Sequence, residues 1–108
     1  MSLPASPLVD LVTYSPGAVV SRALVKRPAG TVTLFAFDAG EGLSEHTAPF
    51  DALLHVVEGR AVVTIAGRES AMAAGDIVEL PARIPHAVRA VERFKMLLVM
   101  IRDAGVSA

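Results

Sequence analysis

The chain has 108 residues, 53% of them hydrophobic, with ten Lys and Arg against eleven Asp and Glu and no cysteine. That length suits one domain with one packed core and leaves no room for a second. A net charge of -1 with scattered basic residues offers no footprint for nucleic acid or an anionic membrane surface, and the lack of thiols excludes disulfides and thiolate metal ligands.

The start, MSLPASPLVD, lacks a basic segment followed by a long apolar run, and the most apolar stretch, MLLVMI from Met96 to Ile101, is far too short to span a bilayer. A soluble, unprocessed cytoplasmic protein is expected.

In chain order, residues 1–17 read as a Pro-rich N-terminal arm with one short helical or extended turn around Leu8 to Tyr14. Residues 18–108 read as a single β-domain, because apolar runs of strand length recur between Gly, Pro and Asp signals. Ala18–Val25, a turn at RPAG and Thr31–Asp38 form a hairpin whose second strand is rich in β-branched and aromatic residues. The polar, Gly-flanked segment from Gly40 to His46 follows as a loop, and Pro49-Phe50 beyond it as the mobile lip of a pocket. Leu53–Glu58, a turn at Gly59-Arg60, Ala61–Ile65, a turn at AGRE and Ser70–Met72 make a meander. Asp76–Leu80, His86–Ala90 and Phe94–Ile101 supply three more strands. About eight short strands at this spacing favour a sandwich or a closed barrel.

Alternation along a strand says which faces are covered. Ala52, Leu54 and Val56 share one face, read as inward, while Leu53, His55 and Val57 share the other. In the last strand Phe94, Met96, Leu98 and Met100 oppose Leu97, Val99 and Ile101, with only Lys95 breaking the second set. A barrel in water needs only its inner face dry, so the second apolar face calls for another cover, and a homodimer through the barrel wall is the simplest one. His55 then points away from the pocket, as an interface or core-edge residue. Lys95 either reaches a polar group of the pocket or snorkels to solvent. Met72, Met96 and Met100 read as core packing.

Two spacings carry a resemblance. Gly40 is followed by five residues and His46, and VVEG closes a later strand at Gly59; GDIVELPARIPH runs from Gly75 through Pro81 to His86. The chain resembles the cupin superfamily over roughly residues 31 to 101, the second segment being the more specific. EHTAPFDA, IPHA and ERFKMLL are similar to small single-domain bacterial cupins. The resemblance implies an all-β double-stranded β-helix, the jelly roll of the cupin or RmlC-like barrel, in agreement with the strands read from the residues.

Carried over position by position, the metal motif is degenerate. His46 falls on the first ligand position and His86 on the last, but Ala48 and Ala52 stand where the second histidine and the glutamate belong. Arg83 replaces the usual glycine of the second motif and Ala90 its asparagine. Glu45 and Asp51 flank His46 and are the additional ligands that could replace the lost carboxylate if the loop bends inward. Two imidazoles with water completing the shell would hold Ni, Zn, Mn or Fe weakly. The pocket expected around them is walled by Leu34, Ala36, Ala48, Ala52, Leu54, Val56 and Met96. Two readings stay open: a pocket that binds a small polar molecule, through a weakly held divalent metal or without one, and a metal-dependent enzyme, dioxygenase-like or isomerase-like, acting on a small carbohydrate or keto acid. Under the first, no catalytic residue is assigned. A metal-free general base at His46 or His86 is a variant of the second.

Overall fold

The computed structural model describes residues 2–102; the end of the domain expected over 18–108 lies outside the described residues. A single 3-10 turn, Leu8–Leu11, precedes nine strands: β1 (Val19–Arg27), β2 (Gly30–Phe37), β3 (Gly42–His46), β4 (Asp51–Glu58), β5 (Arg60–Ile65), β6 (Arg68–Ala73), β7 (Ile77–Leu80), β8 (His86–Ala90) and β9 (Phe94–Ile101). They form a five-stranded sheet in the order β1-β2-β9-β4-β7 and a four-stranded sheet in the order β3-β8-β5-β6. Every pairing is antiparallel. Packed face to face, the two sheets make the jelly roll that the family resemblance implies, a form of the sandwich or barrel read from the strand spacing. Among the described residues no helix is long and apolar enough to cross a membrane.

β8 and β9 keep the bounds read from the sequence, whereas β3 is a strand where a loop was expected. Its residues, GLSEH, hold one apolar side chain and four exposed positions. So short and polar an edge strand lacks the alternation by which strands are recognised.

The interior is built from one parity of each strand. Phe37 and Phe94 stack at its centre with ring centroids 4.5 Å apart. Leu54, Val56, Val63 and Met96 pack around them, all essentially sealed from solvent. Each such side chain contributes roughly 1.5–3 kcal/mol on burial. Gly59, at the β4–β5 turn, is required by this packing: its φ is +79°, and a Cβ there would lie 2.1 Å from the Arg93 carbonyl oxygen.

Leu34 and Ala36 belong elsewhere. They were expected on the pocket wall, but they are buried in a second cluster with Val12 of the arm, against which Leu11, Val57 and Leu97 also pack. The register with β9 explains the reversal: Phe35 opposes Met96 and Ala36 opposes Lys95, so Phe35 and Phe37 face inward and Leu34 and Ala36 outward. The outer face of the five-stranded sheet is thus partly covered by the chain's own arm, where the sequence reading called for a partner alone. Polar contacts hold the arm down. Lys95, almost fully buried there, donates from Nζ to the Val9 carbonyl (2.6 Å) and lies 4.9 Å from the Tyr14 ring centroid. Lys95 therefore neither enters the pocket nor snorkels to solvent. The Tyr14 hydroxyl donates to Glu58 Oε2 (2.5 Å). Burial, followed by the Glu58 carboxylate, pushes that phenol's pKa up. His55 sits half-buried on the same outer face, opposite Ile77 and Leu97.

Candidate metal and ligand site

His46 ends β3 and His86 begins β8, and the two are directly paired across the ladder. His86 shares parity with buried Val88, so it faces the interior. Simple alternation from Leu43, which opposes Val88, would turn Glu45 inward and His46 outward. A bulge between Leu43 and His46 inserts one extra residue and brings His46 round to the same face as His86. The signal that could have found it is weak, because nothing in the run SEH marks a bulge.

The hydrogen bonds of the two rings define their protonation. His46 Nδ1 lies 2.8 Å from the Ser44 carbonyl oxygen and His86 Nδ1 lies 3.2 Å from the Ile84 carbonyl oxygen. A carbonyl only accepts, so each Nδ1 carries the hydrogen and, in neutral rings, each Nε2 presents a lone pair. The two Nε2 atoms converge at 3.1 Å, with the rings nearly edge-on at an interplanar angle of 68°. Burial, foremost, holds the His86 imidazole below its ordinary range; the Ile84 carbonyl opposes this and the neighbouring His46 adds to it. Neutral rings in this arrangement point two lone pairs at one another, which is unfavourable unless a proton or a cation lies between them. Two imidazoles bound to one ion at about 2.1 Å can adopt the observed Nε2 separation, and the backbone carbonyls orient the rings as the outer partners of metal-bound histidines do.

The surrounding rim is tied together by backbone. Arg83 N–H donates to the Ala48 carbonyl (2.7 Å), and Ala66 N–H donates to the Pro85 carbonyl (2.9 Å). Asp51 Oδ1 accepts from Ala82 N–H at 2.8 Å, which joins the segment after His46 to the segment before His86. Asp51 is therefore committed to the loop, and Glu45 is exposed. Among the described residues no group of three or more His, Cys, Asp or Glu side chains is assembled. The additional ligands expected from Glu45 and Asp51 are not brought to the histidines, the first because the bulge leaves it on the exposed edge and the second because it shares the outward parity of Leu53, with its Oδ1 on the Ala82 amide. Ala48 and Ala52 are partly and fully buried, and Ala52, Leu54, Val56 and Met96 do line the interior. The Phe50 ring at the lip carries the Arg102 guanidinium 5.1 Å from its centroid.

The register also places polar groups on the inner wall that sequence reasoning missed. Thr31 opposes Met100 and Thr33 opposes Leu98, so both hydroxyls share the parity of Phe35 and Phe37. Their row on the five-stranded sheet continues through Met100 to Ala52, at the end of the barrel where the segment after His46 enters β4. A hollow of about 240 Å³ opens at the other end, lined in part by Arg60, Met72, Asp76 and Val91. Its polar groups are already engaged: Arg60 Nε pairs with Glu92 Oε1 (2.9 Å), and Asp76 Oδ2 accepts from Ala73 N–H (2.9 Å).

Comparison with known proteins agrees with the fold. Residues 33–102 match the sequence profile of the family described as "Cupin domain". A cupin superfamily protein from Desulfitobacterium hafniense is 31% identical, with a TM-score of 0.90 over 95% of this chain and 97% of its own. A conserved protein of unknown function from Streptococcus pyogenes is 35% identical, with a TM-score of 0.87 over 92% of this chain and 87% of its own. A conserved barrel domain protein of the same family from Leptotrichia buccalis is 39% identical over 87% of this chain, which spans 46% of that longer protein at a TM-score of 0.84. A search of the curated proteins finds no match. With the profile covering most of the described strands and the two histidines standing at the first and last positions of the motif, the chain is a member of the cupin superfamily.

Proposed function

We propose that this cupin is a small-molecule-binding barrel whose His46–His86 pair holds a divalent metal ion weakly and leaves most of its shell to water and to the ligand. One observation carries the reading: both Nδ1 hydrogens are committed to backbone carbonyls while the two Nε2 atoms converge at 3.1 Å. Such a pair is preorganised for a cation rather than for packing. The ion, when bound, supplies Lewis acidity and a point of attachment for oxygen ligands. Ala48 and Ala52, small where the superfamily motif has two further donors, leave space that a ligand's own oxygens can occupy. The absence of a third protein donor among the described residues favours binding over turnover.

Titration calorimetry on chelator-stripped protein tests this. Ni and Zn are expected to bind more tightly than Mn, as imidazole donors favour, with affinity falling as pH drops through the imidazole range because a protonated ring cannot ligate. The His46→Ala, His86→Ala double variant should lose binding altogether. Equal binding by wild type and double variant, or none by either, overturns the metal reading.

A further inference from the structure

Met72, Met96 and Met100 all face the interior, but packing explains only the first two. Met72 and Met96 belong to the buried core at 6% and 1% exposure, whereas Met100 is half-buried and, among the described residues, part of neither apolar cluster. The expectation of core packing thus fails for Met100. Its inward direction is set by register: on β9 it shares the parity of Met96, opposing Thr31 on β2 and Ala52 on β4.

Topology carries Met100 to the histidine end. Only three residues, Val91 to Arg93, join β8 to β9, and the two strands belong to opposite sheets, so β9 folds back over β8 with their inner faces toward one another, roughly 10 Å apart. Counted outward from that turn, Ala90 is level with Phe94, Val88 with Met96 and His86 with Leu98, and Met100 stands one row further toward the open end. Within its own sheet Met100 is the direct neighbour of Ala52, with Cβ atoms roughly 5 Å apart. Ala52 stands where the superfamily motif has its carboxylate ligand. A thioether on a flexible stem therefore rises beside a donor position at which this chain has only a methyl group.

We infer that Met100 Sδ is a third donor to an ion held by His46 and His86, and that the site selects the soft, monovalent cuprous ion over divalent ones. This deepens, and rests on, the reading of the histidine pair as a metal site. Two neutral imidazoles and a thioether bring no negative charge, and Asp51 and Glu45 are both turned away from the pair. Against an inner wall of Leu98, Ala52 and Leu80, a dication is left uncompensated, and a monocation costs much less to bury. Sulfur donors favour Cu(I), which is satisfied by two or three ligands, whereas a hard ion such as Mn gains nothing from them.

The test uses chelator-stripped protein, with Cu(I) measured by anaerobic competition against the chromogenic chelator bicinchoninate and Ni and Zn by calorimetry. Wild type should bind Cu(I) more tightly than either divalent ion. Met100→Leu, which keeps the apolar volume, should weaken Cu(I) about tenfold, the scale on which loss of one supporting group weakens a metal site, and leave Ni and Zn unchanged. Met96→Leu, a thioether lost from the sealed core, should alter none of the three. The X-ray absorption spectrum of the copper-loaded wild type should contain a sulfur neighbour that Met100→Leu lacks. Equal Cu(I) affinity in wild type and Met100→Leu, an equal loss of Ni in that variant, or a copper shell of nitrogen and oxygen alone each overturns the assignment. Nickel separates the two proposals: if it binds wild type and Met100→Leu alike while copper has no sulfur neighbour, the histidine pair stands as a metal site and only the thioether is removed, whereas a wild type that binds none of these ions removes both.

Discussion

Asp38 shows how a single side chain can join distant parts of the chain. Its carboxylate accepts from Gly17 N–H at 2.7 Å, from Ala39 N–H at 2.9 Å and from Arg93 Nε at 2.8 Å. Those contacts, the Gly17 amide first and the Arg93 guanidinium next, hold its pKa at about 2 against an ordinary value of 3.8. A carboxylate depressed in the folded state adds stability that is fully present above the unfolded value and is lost as pH falls from 3.8 toward about 2. Asp38→Asn is therefore expected to flatten the acid limb of the unfolding curve in that window while leaving the slope between pH 6 and 8 unchanged. Urea midpoints measured from pH 2 to 8 on both proteins check this; parallel curves would show that Asp38 carries none of the acid sensitivity. At the same scale, the inward turn of His46 is a single-residue event, because one extra residue in β3 decides which of Glu45 and His46 faces His86.

The arm is the element whose role is most physical and least visible in its own composition. Val12 is buried against Leu34 and Ala36, and Leu8, Leu11 and Tyr14 pack beside it. Arg22 Nη1 donates to the Leu11 carbonyl (3.2 Å), and Lys95 donates to the Val9 carbonyl (2.6 Å), so two cations of the barrel grip the arm's backbone. Removing residues 2–14 should cost on the order of 3 kcal/mol, from the loss of two or three partly buried apolar side chains. It would also leave Lys95 without its carbonyl partner. Denaturant unfolding of the truncated chain measures the loss, and an unchanged midpoint would mean the arm rests on the sheet without stabilising it. The histidine pair lies on the other sheet, so metal binding by the folded truncated protein should match the full chain.

For the molecule as a whole, the arm leaves part of the outer face of the five-stranded sheet uncovered. Leu53 and Ile77, at 37% and 59% exposure, point outward from β4 and β7, and Ile101 is 52% exposed on β9 between them and β2. Asp51, paired with Ile101, Glu79, paired with Leu53, and half-buried His55 are the polar residues along this strip. Self-association of two such faces is the expected outcome, because it removes the apolar strip of both copies from water at once. Sedimentation at micromolar concentration should give a dimer, and Leu53→Glu with Ile77→Glu should give a folded monomer that still binds Ni. A wild-type monomer at that concentration would remove the expectation.

What the sequence by itself determined is what local pattern can encode. Strand length and turn residues mark eight of the nine strands, and the alternation in β4 and β9 separates inward Ala52, Leu54 and Val56 from outward Leu53, His55 and Val57 as the structure has them. The motif spacing identifies the superfamily and the two histidine positions. Tertiary structure alone decided three matters. In β2 both parities are apolar, so nothing within TVTLFAF tells its two faces apart; pairing with β9 turns Phe35 and Phe37 inward and gives Leu34 and Ala36 to the arm. In β3 a bulge breaks the period-two pattern on which any reading of facing depends. Lys95 looks misplaced on an apolar strand until the arm supplies a carbonyl from 86 residues away. In each case the deciding partner lies on another segment, and a strand's own residues carry its period but not the identity of what will cover each face.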